Sequence, residues 1–254
     1  MITITASNQK GGVAKSTTIA HLAYGLGEQD KRVLAVDLDP QGNLTDFLGA
    51  SSESLESTVY NALFEDGVGV NDVVIGAQKP NVDLVPANID LAGAETLLMN
   101  EMARESAVRS LLGSLTDYDY VLIDCQPSLG LLPINAMVAS DFVLVPVECA
   151  YPSLRGLKQL LATIDKVTGK LNPELAMLGI LLTQHDKRTL HAREVIDRVR
   201  EHFGERVFQS VIPRRVAFDE ATIRGQTLME YDPSSDGTAA YRALTEEVLN
   251  GTQK

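Results

Sequence analysis

Tryptophan is absent, only two of 254 residues are cysteine, and phenylalanine and tyrosine together make up 5% of the chain. Two cysteines, Cys125 and Cys149, cannot build the disulfide framework on which small secreted domains depend. No apolar run approaches the roughly 20 residues that span a bilayer. The N-terminal Met-Ile-Thr-Ile-Thr has neither a basic segment nor a long apolar one. We therefore expect no secretory signal and a cytoplasmic protein. Positive charge is also scarce. A net charge of −12 argues against a uniformly basic nucleic-acid binder and leaves room only for a local patch. Long linkers, repeats and low-complexity segments are missing too. What remains is a chain that is 44% hydrophobic, enough for one substantial core, and we expect a single domain over residues 1–254.

The apolar residues fall into alternating patterns. "ITITASN", "RVLAVDLD", "VDLVPAN", "DYVLIDC", "DFVLVPVE" and "LAMLGILLTQ" are short runs of the kind buried on both faces of a parallel sheet. Between them lie helical spacings. Leu154, Leu157, Leu161, Ile164 and Val167 recur at three and four residues, and Leu190, Val195, Val199 and Phe203 share one side. A last helix is expected over about 236 to 249. Strand–helix alternation predicts an α/β fold: one doubly wound, mostly parallel sheet with helices on both faces. Residues 50 to 80 have weak periodicity and are expected to form short helices and loops at one edge.

The first strand, expected over Ile2 to Ala6, runs into "NQKGGVAKSTT", residues 8 to 18, and a helix is expected from Ser16 to Gly27. A glycine-rich loop between a strand and a helix is the setting of a phosphate-binding loop. Gly11 and Gly12 let consecutive backbone N–H groups turn toward an anion, and the helix N-terminus adds its positive end. Lys15 would reach the β- and γ-phosphates, Ser16 would sit on Mg²⁺, and Thr17 would lie near the α-phosphate. Yet G-x-x-x-x-G-K-[ST] is not matched, because Gln9 and Ala14 stand where its glycines belong, and a second lysine, Lys10, lies at the mouth.

Lys10-Gly11-Gly12-Val13-Ala14-Lys15-Ser16 matches K-G-G-x-x-K-[ST], the deviant Walker A motif, and the chain resembles the ParA/MinD family of P-loop ATPases. The resemblance implies ATP and Mg²⁺ as ligands. It also implies that Lys10 crosses a homodimer interface to touch the partner subunit's nucleotide. A triphosphate carries about four negative charges, which a lysine from each chain would help offset. The family usually has glycine at Ala14, and a methyl there is expected to require a negative φ.

Two further motifs follow. "VDLDPQGN" ends the second expected strand; by resemblance Asp37 lies near the Mg²⁺ water shell and Asp39 positions the attacking water. "DYVLIDCQPSLG" is an apolar strand closing on Asp124, the Walker B arrangement, with its carboxylate toward Mg²⁺. Gln126 replaces the first proline of the family's D-C-P-P-S, which bears on the stiffness of the γ-phosphate loop. A related protein, the nitrogenase iron protein, shares a cluster through two cysteines per subunit. Here Cys125 sits inside that motif and Cys149 follows a buried strand, so ordinary core thiols are expected.

"GILLTQHDKRT" and "VIPRRVAFDEA" resemble the ParA-type partition branch, and the likeness runs from about residue 1 to 250, weakest across 50 to 80. It implies that Ile212-Pro213-Arg214 borders adenine and that basic residues nearby grip DNA without reading sequence. Arg188 matches one such position. Ala217 replaces a usual arginine, and Arg215 replaces a usual asparagine. Residues 185 to 224 carry nine Lys/Arg against seven Asp/Glu, leaving −14 elsewhere. The bland alternative is a solvated helix face. The resemblance further implies a nucleoid-associated ATP-bound form and a ParB-like activator with a basic N-terminal segment, which an acidic surface would attract. A MinD-like membrane protein would end in a basic amphipathic helix, whereas this chain ends "YRALTEEVLNGTQK"; no membrane partner is expected. A metabolic ligase of the superfamily, such as a dethiobiotin- or cobyrinate-synthesis enzyme, would need a second substrate site. A dead-site binding module would not retain Lys15, Asp39 and Asp124.

Overall fold

The computed structural model describes residues 1–149 and 153–253; the side chains of residues 77, 78, 153–155, 190 and 191 are also outside the description, so Leu154 and Leu190 of the helical patterns are not placed. Eight strands form one sheet: β1 (Ile2–Ala6), β2 (Val33–Leu38), β3 (Ile75–Lys79), β4 (Val82–Val85), β5 (Tyr120–Cys125), β6 (Phe142–Glu148), β7 (Ala176–His185) and β8 (Val207–Pro213). Their order is β3-β4-β2-β5-β1-β6-β7-β8. Every pairing is parallel except β3 with β4. From β1 one side of the sheet runs β5, β2, β4, β3 and the other runs β6, β7, β8 in chain order, so the connections diverge around β1 and leave a crevice beyond the strand ends there.

Alternation along the strands explains why both faces are dry. Val33 and Ala35 of β2, Tyr120 and Leu122 of β5 and Leu144 of β6 enter the same core as Ile19, Leu22 and Leu26 of the helix Lys15–Glu28 and Leu244 and Val248 of the helix Asp236–Gly251. Their neighbours Leu34, Val36, Val121 and Ile123 point to the opposite face, toward the helix Leu131–Ala139. Val143, Val145 and Val147 do so beside the helices Ser153–Lys170 and Leu190–Phe203. Leu157, Ile164, Val167, Val195 and Val199, expected as inward stripes, are all buried.

Two strands go beyond the sequence reading. β3 lies within the weakly periodic stretch 50 to 80, beside the short helices Val59–Phe64 and Val70–Val73. It is an antiparallel edge strand with an irregular register, so it needs no continuous apolar run. β8 contains the exposed Gln209 between Phe208 and Ser210, which breaks its apolar run.

Candidate nucleotide-binding site

Register brings the candidate residues together. Ala6 of β1 and Asp37 of β2 both pair with Asp124 of β5. Parallel partners point their side chains to one face, so Asp37 and Asp124 sit side by side beneath the start of the helix Lys15–Glu28. Both are fully buried. Asp37 is satisfied: Oδ1 accepts from the Asp39 N–H at 3.0 Å, and Oδ2 from the Thr45 N–H at 2.9 Å and its hydroxyl at 2.8 Å. It braces the Asp39 turn and the start of the helix Asn43–Phe47, with one of its four acceptor positions left over. Asp124 differs, for neither of its oxygens has a hydrogen-bond partner. Burial first, then the Asp37 charge, pushes its pKa up, while Ser16 and Lys15 pull it down. Burial likewise raises Asp37, against the hydrogen bonds it accepts.

The loop wraps over these carboxylates. Gly12 has φ 70°, and Ala14 has φ 65° and ψ 38°. Ala14 therefore overturns the expectation of negative φ: the methyl is carried in the left-handed region, where L-residues pay about 1–2 kcal/mol. The turn is enforced from outside. Thr183 Oγ1 donates to the Val13 carbonyl at 3.1 Å, Gln184 Nε2 donates to the Gly12 carbonyl at 2.5 Å, and the Thr18 N–H and hydroxyl both donate to the Ala14 carbonyl. No side chain caps the helix that follows, and its first turn carries no acid. Its first N–H groups are thus left for an anion. Lys15, buried at 6% exposure, makes no ion pair among the described residues.

A cleft of about 640 Å³ opens above this loop, lined by Gly11, Gly12, Ala14, Lys15, Ser16, Thr17 and Asp39 on one side and by Ile212, Pro213, Arg214, Arg215 and Arg188 on the other. Val13 faces the core instead. Asp39 uses Oδ1 to accept from the Gln41 N–H. Among the described residues no three His, Cys, Asp or Glu side chains converge as a metal cage. One hydroxyl, one orphaned carboxylate and phosphate oxygens suit Mg²⁺, which keeps water and substrate oxygens in its shell.

Several residues escaped the sequence reading. Glu95 accepts from Gln126 Nε2 at 2.9 Å and from the Leu132 N–H at 3.2 Å. It thereby ties down the loop after Asp124 where the usual proline is missing. His21 stacks on Tyr241 at 4.3 Å with Phe218 edge-on at 5.4 Å, and Phe218 and Tyr241 line the cleft. Burial lowers the His21 pKa to about 4, so the ring is neutral; Nδ1 donates to the Thr17 carbonyl and Nε2 accepts from the Leu228 N–H. No spacing or motif in the sequence pointed to this wall, because its three rings lie 23 to 220 residues apart. Cys125 and Cys149 are buried, and burial pushes both thiols up to about 12.

The basic residues are placed near the cleft but are largely neutralised. Arg188 forms a two-pronged pair with Asp186, at 3.0 and 3.1 Å. Arg215 and Lys187 share Asp236. Arg214 is exposed and has no ion pair among the described residues.

An AAA-domain family model matches residues 1–177. The sporulation initiation inhibitor protein Soj of Bacillus subtilis is 45% identical, over 96% of this chain and 97% of its own length. The chromosome partitioning protein ParA of Myxococcus xanthus is 43% identical, over 97% of this chain and 87% of its own. A crystal structure of cobyrinic acid a,c-diamide synthase from Mycobacterium smegmatis, with bound ATP analog and magnesium, superposes with a TM-score of 0.86 at 39% identity, covering 98% of this chain and 95% of that one. Carrying the signature loop, the paired strand-end aspartates and these full-length likenesses, the chain belongs to the ParA/Soj branch of the ParA/MinD family of deviant Walker A ATPases.

Proposed function

We propose that the protein hydrolyses ATP with Mg²⁺ as a switch between two assembly states. ATP closes a homodimer, the dimer binds DNA without sequence preference, and hydrolysis releases it. A ParB-like partner with a basic N-terminal segment stimulates that hydrolysis. The cycle positions or segregates DNA or another cargo on the nucleoid. The observation that carries the nucleotide reading is the orphaned Asp124 carboxylate beneath an uncapped helix N-terminus. Ionising a buried carboxyl without a partner is costly, and a cation–phosphate complex supplies partners to both features at once.

The residues divide the work as follows. Backbone N–H groups from Gly11 to Thr17 hold the phosphates, and Lys15 offsets charge on the β- and γ-phosphates. Ser16 and Asp124 would hold Mg²⁺, with Asp37 at its water shell through its remaining acceptor position. Magnesium, when bound, neutralises charge that develops on the phosphate oxygens. Asp39 has one oxygen free to orient the attacking water. Ile212, Pro213 and Arg214 border the adenine, and Lys10 acts across the dimer on the partner's nucleotide. Arg188, Arg214 and Arg215 would meet DNA phosphates. The likeness to Soj and ParA supports partition as the process, and the acidic surface suits a basic activator.

The test is binding to non-specific duplex DNA with ATP, with ADP and without nucleotide, at two salt concentrations. ATP-dependent, salt-sensitive binding that disappears in Lys10→Ala is expected. A protein that binds ATP but never DNA would overturn the partition reading. The M. smegmatis likeness favours one alternative, a metabolic ligase, which predicts turnover only in the presence of a small carboxylic acid. Among the described residues no helix is long and apolar enough to cross a membrane. A MinD-like protein would instead bind anionic vesicles when ATP-loaded.

A further inference from the structure

The mouth of the loop is fastened to β6 in steps of two residues. β1 pairs with β6 up to Ala6 opposite Leu144. Beyond the strand the same register continues through other bonds. The Ser7 N–H donates to the Leu144 carbonyl at 3.0 Å, and Asn8 Nδ2 donates to the Pro146 carbonyl at 2.7 Å. The next step brings Lys10 to Glu148, and its Nζ forms an ion pair with Glu148 Oε2. Asn8 Oδ1 also accepts from the Lys10 N–H at 3.0 Å. Backbone and side chain of Lys10 are thus both held against the end of β6 in its own subunit.

We propose that Glu148 is a positioning residue for Lys10: it holds the ammonium within its own subunit and must release it before Lys10 can act on the partner's nucleotide. The proposal rests on the cross-subunit reading of Lys10 given above. A lysine cannot be ion-paired to Glu148 in its own chain and extended to a second triphosphate at once, so the pair is present in the monomer and broken in the closed dimer. The side chains are 45% and 22% exposed, which makes the pair weak enough to break. Two pairs open per dimer, so a modest effect at each is doubled in the assembly equilibrium. A triphosphate offers the ammonium more negative charge and more acceptor oxygens than the single carboxylate does. Glu148 would therefore disfavour closure until ATP occupies the partner site, as population shift by differential binding requires.

The experiment is sedimentation of wild type, Lys10→Ala, Glu148→Gln and a charge control, Asp219→Asn, with and without a non-hydrolysable ATP analogue. Nucleotide affinity of the monomer is measured in parallel at low protein concentration. Glu148→Gln is expected to tighten the ATP-dependent dimer about three- to tenfold while leaving monomer nucleotide affinity within about twofold. Asp219→Asn, which removes a carboxylate that forms no ion pair with Lys10 among the described residues, should not reproduce the effect. A dimer constant unchanged or weakened in Glu148→Gln, or tightened equally in Asp219→Asn, would overturn the proposal while leaving cross-subunit action intact. A wild type that does not dimerise with ATP, or a Lys10→Ala variant that dimerises normally, would overturn the cross-subunit reading and this proposal together.

Discussion

The cleft and the basic face beside it treat charge in opposite ways. Beneath the loop, Asp124 is buried without a partner and Lys15 is buried without an ion pair. Across the cleft, Arg188, Arg215 and Lys187 are each paired with a carboxylate of their own chain, although their side chains are 90%, 44% and 62% exposed. Leaving a buried charge unpaired costs far more than leaving an exposed one so. The cleft therefore carries a cost that a ligand relieves, whereas these three cations have their charge satisfied within the chain and, on the proposed DNA-binding reading, would have to be freed before meeting phosphate. One region leaves its charge for a ligand, and the other engages it in ion pairs within the chain.

The largest effect should come from neutralising the orphan. Asp124→Asn removes a carboxyl whose ionisation burial opposes up to a pKa of about 8, so above that pH the ligand-free protein should melt at a higher temperature. Mg²⁺-dependent hydrolysis should fall on the order of 100-fold or more, as when a charge-stabilising group is removed. The same contrast sets a pH dependence. Because burial raises the Asp124 and Asp37 pKa values above those of the unfolded chain, their contribution to stability is present below the unfolded carboxylate value of about 4. It is lost as the pH climbs through the raised native values. Melting of the nucleotide-free protein at stepped pH should show this slope, with Asp124→Asn and saturating Mg²⁺–nucleotide each flattening it. A variant that melts lower than wild type above about pH 8 would mean that the carboxylate has a structural partner after all.

A smaller effect is expected on the basic face. Asp236→Asn frees both Lys187 and Arg215, and non-specific DNA binding in the ATP state should tighten about three- to tenfold. The salt dependence should steepen by about 0.9 in slope for each cation that gains a phosphate. Asp236 opens the helix Asp236–Gly251, where an acid favours the helix dipole by about 0.3–1 kcal/mol. The variant should thus bind DNA more tightly while melting slightly lower. Loss of DNA binding in fluorescence-anisotropy titrations would show instead that Asp236 orients the two cations productively.

These contrasts were unevenly legible in the sequence. The sheet could be read from runs such as Val33–Leu38 and Tyr120–Cys125, because strands covered on both faces must be apolar at every position. The edge strand Ile75–Lys79 has only one strongly apolar residue, and Gln209 interrupts Val207–Pro213, so neither announces itself. In the cleft the loop lysines and the strand-end aspartates were visible as residue types. That Asp37 is satisfied and Asp124 is not depends on Thr45, eight residues from Asp37, and no spacing rule encodes it. On the basic face, counting charges found the nine cations. It could not find that Asp236 neutralises two of them, since the partners lie 21 and 49 residues apart. Glu95, which tethers Gln126 across 31 residues, was hidden for the same reason.

The smallest prediction separates strain from pairing. Ala14 is held at φ 65° by the bonds from Thr183, Gln184 and Thr18 around it, at a cost of about 1–2 kcal/mol for an L-residue. Ala14→Gly removes that cost but loses about 0.4–1 kcal/mol through the greater freedom of the unfolded chain. A net gain of about 0.5–1 kcal/mol is expected in chemical denaturation. Nucleotide affinity should change little, because the surrounding bonds impose the turn whichever residue occupies it. Ala14→Val, β-branched and poorly tolerated at positive φ, should lose stability and affinity together. If Ala14→Gly instead weakened ATP binding markedly, the methyl would be what rigidifies the loop. The cleft would then owe its readiness to restrained backbone as much as to unpaired charge.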